Sequence, residues 1–269
     1  MSYQQFSKRH GFKPEQVEIV VRNDAPESLR EYLVQTVSSL GYEADFIRTN
    51  VCRLLKKVPD RNNWSDGNIY FEIISLLSEC QWYYVYDAIE LFYSVIKTQH
   101  KEKFEEEIND FFFMNGIGWK LQNGKIEYRG DENFELELSS VVSVLESSKQ
   151  HTAKTEIREA IMDLSRRPEA DLTGAVQHSL ACLECVARKV AGNDKMTLGE
   201  LIKKYASIIP RPLDEAISKI WGYTSEQGRH LREGGRPSYE ETELIVGLSA
   251  VMSTYLAKKL PTDEVEDDF

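Results

Sequence analysis

Three features of the sequence predict a mostly α-helical protein. Apolar residues recur at three- and four-residue spacing along most of the 269 residues, capping patterns precede two of the later stripes, and one Asn-Gly turn marks a break in the helical periodicity. The expected organisation is an N-terminal helical domain over 1–146 with a β-hairpin near 118–129, then an all-α bundle over 147–260, then an acidic disordered tail over 261–269.

The chain opens on the polar stretch Phe6-Ser7-Lys8-Arg9-His10-Gly11-Phe12-Lys13-Pro14. Leu29, Leu33, Val37 and Leu40 then share one helical face and stop at Gly41. Phe46, Ile47, Val51 and Leu54 predict a second helix, Ile69, Ile73, Ile74 and Leu77 a third, and Val85, Ile89, Phe92 and Ile96 a fourth. Phe104, Ile108, Phe111 and Phe112 predict a fifth. The aromatic side chains crowded between Tyr70 and Phe113 are expected to fill the core of this bundle.

Helical spacing fails between Gly118 and Arg129, where Asn123-Gly124 signals a two-residue hairpin turn. A two-residue loop sets Leu121 opposite Ile126 and Trp119 opposite Tyr128 on one face, with Lys120 opposite Glu127 on the other. Because an isolated hairpin is marginal in water, the apolar face must dock on the helices. A nucleic-acid-reading wing would need a basic neighbourhood, and Asp131, Glu132 and Glu135 follow at once.

Polar residues from Ser147 to Thr155 interrupt the apolar pattern and suggest the domain boundary. Ile157, Ile161 and Leu164 predict a helix ending around Arg166-Arg167-Pro168. From Asp171 to Gly192, Val176, Leu180, Leu183, Ala187 and Val190 form the clearest core stripe in the chain. Thr197 with Glu200 and Ser238 with Glu241 are capping boxes, each before a further helix, and Leu244, Leu248, Val251 and Tyr255 give the last helix its stripe.

A formal net charge of −11 excludes broad electrostatic attraction to nucleic acid but permits a local basic patch. No apolar run is long enough for a membrane span, and Met1 to Lys13 lacks the apolar middle of a secretory signal, so the chain reads as cytoplasmic. Cys52, Cys80, Cys182 and Cys185 fall within helical patterns and read as buried thiols rather than disulfides.

The most chemically suggestive segment is Gly222 to Pro237, a long connection between a short helix, Leu213 to Trp221, and the last one. It gathers Arg229, His230, Arg232 and Arg236 among glycines. Arginine offers a fixed fork of donors to phosphate oxygens, and histidine can exchange a proton near neutral pH. RNA cleavage needs those two capacities. The alternative is a helix C-terminus capped by cations. His178, Cys182 and Cys185 share one face at i, i+4 and i+7, but no second cluster supplies a fourth ligand, so neither a metal nor another cofactor is expected. Glu184 and Arg188 form an i, i+4 pair, either an ordinary helix-stabilising ion pair or a support beside the loop. His10 and His100 lie in polar surroundings.

The core helix with Glu184, the Thr197-Leu-Gly-Glu200 turn, Trp221-Gly-Tyr-Thr224 and Arg229-His230 before a final helix resemble HEPN-type domains of bacterial abortive-infection proteins. The first domain resembles the N-terminal domain of the AbiJ group, through residues 6 to 14 and the stretch Asn115-Gly-Ile-Gly-Trp-Lys-Leu121 before Asn123-Gly124. The resemblance implies a HEPN-like bundle that forms a homodimer and, in active members, a metal-independent endoribonuclease whose arginine and histidine line a cleft between protomers. Arg229 and His230 would be the catalytic pair, Glu184 their support, and Arg232 and Arg236 the substrate contacts. The family's arginine stands four to six intervening residues before the histidine, whereas positions 223 to 225 here are Tyr223, Thr224 and Ser225. Two functions follow: anti-phage defence by cutting RNA, or a non-catalytic interaction protein that dimerises through the same bundle and senses a phage or host partner. Neither involves a membrane.

Overall fold

The structure, a computed structural model, describes residues 6–10, 17–205, 208–229 and 236–260. It is mostly α-helical, with one two-stranded antiparallel hairpin among the described residues, as the periodicity predicts. The chain divides into two compact units, 1–129 and 130–269.

In chain order the first unit contains α1 (Phe6–Arg9), α2 (Glu27–Ser39), α3 (Ala44–Leu55), α4 (Asp66–Glu79), α5 (Trp82–Val95), α6 (Thr98–Met114), β1 (Trp119–Gln122) and β2 (Lys125–Tyr128). Each stripe expected from the sequence lies in its own helix. Leu29, Leu33, Val37, Ile47, Val51, Ile73, Leu77, Val85, Ile89, Phe92, Phe104, Ile108 and Phe112 are all buried in one core. Arg30 is also buried. Its Nε donates to the Ala25 carbonyl at 2.8 Å and its Nη1 to the carbonyls of Leu77 and of Cys80, the latter at 3.1 Å. A cation thus satisfies carbonyls that the end of α4 leaves without helical partners.

The hairpin has the expected register, Trp119 with Tyr128, Lys120 with Glu127 and Leu121 with Ile126. Trp119, Leu121 and Tyr128 are buried, so its apolar face does dock. Polar pins hold it in place. Asn109 on α6 donates to the Leu121 carbonyl at 2.8 Å and accepts the Leu121 N–H at 2.7 Å, while Glu90 on α5 accepts the Ile126 N–H at 2.8 Å. At the turn, Asn123 and Gly124 have φ of 51° and 80°. A Cβ at Gly124 would come within 2.4 Å of the Tyr93 ring, so both conformation and space demand glycine. The extended segment before α2 runs beside the hairpin base. Val21 bridges Ile117, and the Arg22 guanidinium donates to the carbonyls of Gly118 and Arg129 while lying 4.1 Å from the centre of the Tyr128 ring.

The second unit contains α7 (Glu132–Ser147), α8 (His151–Ser165), α9 (Leu172–Ala191), α10 (Leu198–Lys204), α11 (Leu213–Arg229) and α12 (Tyr239–Ala257). Central α9 packs against α8, α10, α11 and α12, and α7 packs on α8 and α12. Helix α9 begins at Asp171, whose side chain accepts the Gly174 N–H, and stops at Gly192 with φ 62°. Both expected capping boxes form, at Thr197 with Glu200 and at Ser238 with Glu241.

Two details depart from expectation. Helix α7 continues from an Asp131 cap through Phe134, Leu138, Val141 and Leu145, and these four side chains pack within the second unit, although sequence set that unit's start after position 146. In α12 the stripe Leu244, Leu248, Val251 and Tyr255 is exposed, and the buried side holds Ile245, Val246, Ser249, Ala250, Ser253 and Ala257. The last helix is apolar on two faces, so spacing alone could not select the inner one. Small residues on the buried side let backbones approach closely, and close packing decided the orientation.

Candidate functional site

Helix α11 carries the first part of the segment singled out by its cations, as far as Arg229. The sequence expectation ended this helix at Trp221, but it runs through Gly222 to Arg229. A glycine inside a helix costs only about 1 kcal/mol, so neither Gly222 nor Gly228 is enough to end α11. Arg229 is the last residue of α11 within the described residues, and α12 begins at Tyr239. His230 and Arg232 lie outside the described residues. Arg236 is exposed, with Nη1 3.5 Å from Glu169 Oε2, an ion pair in full contact with solvent that adds little stability.

Glu184 and Arg188 meet as spacing predicts, with Nη2 2.5 Å from Oε1. The pair does more than stiffen α9. Glu184 Oε2 accepts the Leu198 N–H at 2.9 Å, placing a carboxylate at the first turn of α10, where orphan amides favour negative charge. Arg188 Nε donates to the Met196 carbonyl at 2.8 Å. Together the two side chains fasten the loop after α9 to the start of α10.

His178, Cys182 and Cys185 occupy one face of α9 but meet different surroundings. His178 Nδ1 lies 2.8 Å from Glu156 Oε2, and its Nε2 lies 3.7 Å from Asp163 Oδ2. Cys182 is fully buried against Ser253, and burial pushes its thiol up to about 12. Burial also raises the Cys185 thiol. Cys52 is buried as well, whereas Cys80 and Cys185 are only partly so, and all four thiols are free. Among the described residues no group of three His, Cys, Asp or Glu side chains is arranged to hold a metal ion. The face is divided between an ion-pair cluster at its start and a thiol locked in the core.

That cluster includes a group the sequence reading did not single out. Asp163 has only 1% of its side chain exposed, with Arg166 Nη2 2.8 Å from Oδ1. Burial raises its carboxyl above the ordinary range, with Asp171 adding to the effect and Arg166 and His178 opposing it. The clue available in sequence was weak. Asp163 sits beside Leu164 and one turn after Ala160, at a position that the α8 stripe turns inward. In the first unit, Glu72 is a second such group. Although burial acts to raise it, its carboxyl lies below the ordinary range because it accepts the Asp60 N–H and bonds from Asn63 and Arg48. These contacts fix the loop between α3 and α4.

No described helix is long and apolar enough to cross a membrane. In comparisons with known proteins, the family model described as AbiJ N-terminal domain 4 matches residues 4–143. The match covers the helices and hairpin of the first unit and extends into α7. No curated protein and no solved structure matches the chain.

Proposed function

Because the chain belongs to the AbiJ N-terminal domain 4 family and is an AbiJ-type abortive-infection defence protein, we propose that its second unit is a HEPN-type bundle that cuts RNA without a metal ion. In this reading His230 takes the proton of a ribose 2′-hydroxyl, or returns one to the departing 5′-oxygen, and Arg229 stabilises charge on the phosphoryl group. Arg232 and Arg236 hold neighbouring phosphates. Glu184 supports the site at one remove, by fastening the start of α10, against which α11 packs.

The observation that carries the reading is the course of α11. Helix α11, anchored on α9 and α10, carries the chain through Gly222 as far as Arg229, the residue that directly precedes His230 in a sequence that is otherwise acidic. The test is incubation of purified protein with RNA in EDTA. Wild type should yield discrete products, and His230→Ala should lower their rate at least about 100-fold, the usual worth of acid–base catalysis. Identical products from both proteins would remove the catalytic assignment.

A second reading, a non-catalytic bundle that dimerises and senses a phage or host partner, is favoured by two specific observations. Tyr223, Thr224 and Ser225 stand where the family's nuclease arginine is expected. The stripe Leu244, Leu248, Val251 and Tyr255 leaves an apolar face of α12 uncovered, and a second copy of the chain would bury it. Light scattering of wild type should then give a dimer, and Leu248→Asp with Val251→Asp should give a folded monomer. A monomeric wild type would remove α12 as the dimer face. Dimerisation with intact RNA would favour this second reading over the nuclease.

A further inference from the structure

In the second unit a cavity of about 290 Å³ lies where the turn between α7 and α8 meets the end of α9. Its lining includes the cations Lys149, Arg188 and Lys189, with His151 beside them, against one carboxylate, Asp194. Such a concentration of cations is unusual in a chain of formal net charge −11, because a lining drawn at random from this composition would be mixed or acidic.

We infer that this cavity is a phosphate-binding site, which in the RNA reading above takes a backbone phosphate of the substrate. Arg188 is already held by Glu184 and the Met196 carbonyl, so its guanidinium needs no further ordering, and because Glu184 offsets its charge the excess positive charge comes from Lys149 and Lys189. Lys149 is presented by a tight turn. Its φ is 55° and its N–H donates to the Glu146 carbonyl, while the Gln150 N–H donates to Leu145. Asp194 opposes anion binding only weakly. It lies 3.8 Å from Lys189 Nζ, and both side chains are more than half exposed, so water screens the pair and a phosphate can replace it. The Cys185 thiol in the wall, raised by burial, adds no negative charge. The remaining polar lining, Gln150, His151 and Thr152, offers hydrogen-bond donors to phosphate oxygens.

The experiment uses the full chain, with two probes. A labelled single-stranded RNA oligonucleotide is titrated by fluorescence anisotropy over a range of salt, and inorganic phosphate is titrated while amide signals of residues 149–153 and 188–194 are followed by NMR. Lys149→Gln with Lys189→Gln should weaken RNA binding about tenfold and reduce the salt dependence by about one to two counterions, whereas Lys149→Arg with Lys189→Arg should bind like wild type. An unchanged unfolding midpoint in both variants excludes a folding defect. Phosphate shifts at the cavity together with weakened RNA binding establish the site on RNA. Phosphate shifts with unaltered RNA binding assign the site to a free phosphate ligand. RNA binding with the wild-type salt dependence in the glutamine variant, and no phosphate shifts, overturns the proposal. The His230→Ala cleavage assay reads the catalytic assignment separately: cleavage that needs His230 but not the two lysines, with no phosphate shifts, sinks this site alone, and lysine-dependent binding without cleavage sinks the nuclease alone.

Discussion

Asp163 illustrates how a single side chain couples the fold to pH. Its folded carboxyl titrates above the ordinary value of 3.8, so the native state holds the proton more tightly than the unfolded chain does. Its contribution to stability is therefore fully present below that ordinary value and is lost as pH rises through the window up to the raised value. Glu72, lowered in the fold, acts in the opposite sense, and its contribution is lost as pH falls. Urea midpoints of wild type and Asp163→Asn, compared from about pH 4 upward, should show the variant gaining on wild type, with a slope of at most about 1.4 kcal/mol per pH unit. Parallel curves would show that the buried carboxyl is not the cause. At this scale sequence was a partial guide. The i, i+4 meeting of Glu184 and Arg188 was legible because helix geometry enforces it, but the partners Leu198 and Met196 come from another segment. Likewise, shared spacing on α9 could not separate His178, drawn to Glu156, from Cys182, sealed against Ser253.

Among the elements, the hairpin was the most legible, since turn chemistry and two-residue alternation together leave one register. What sequence did not show is how the hairpin is held. Asn109 lies on α6, and both of its side-chain bonds go to the backbone of Leu121, in the manner of an extra strand partner. Asn109→Ala should cost about 1–3 kcal/mol because it leaves a buried N–H and carbonyl unpaired. Amide exchange checks it directly, since the Leu121 N–H should lose protection well before those of α5. Equal loss of protection across the first unit would mean that Asn109 supports the whole core rather than the hairpin. Helices α11 and α12 were less legible. Gly222 was read as an end although a glycine inside a helix is only mildly unfavourable, and the apolar stripe of α12 was assigned to the core although it faces outward.

For the whole molecule, the division of the chain has a practical consequence. Phe134, Leu138, Val141 and Leu145 of α7 bury themselves among helices of the second unit, at about 1.5–3 kcal/mol each. A fragment of residues 130–260 should unfold cooperatively, whereas 147–260 should aggregate or stay unfolded when followed by circular dichroism. Equal stability of the two fragments would show that α7 is dispensable there. By itself the sequence determined most of the helical segments, though not α1 or α7, together with several of their caps and stops, the pairing of the hairpin and the family resemblance, because these depend on spacing, caps and turns among near neighbours. Only the tertiary structure decided which apolar face of α12 is buried, which unit α7 joins, the burial of Asp163 and the gathering of Lys149, Arg188 and Lys189 around one cavity. Each of those depends on which distant segments come into contact, and periodicity within one segment carries no information about that.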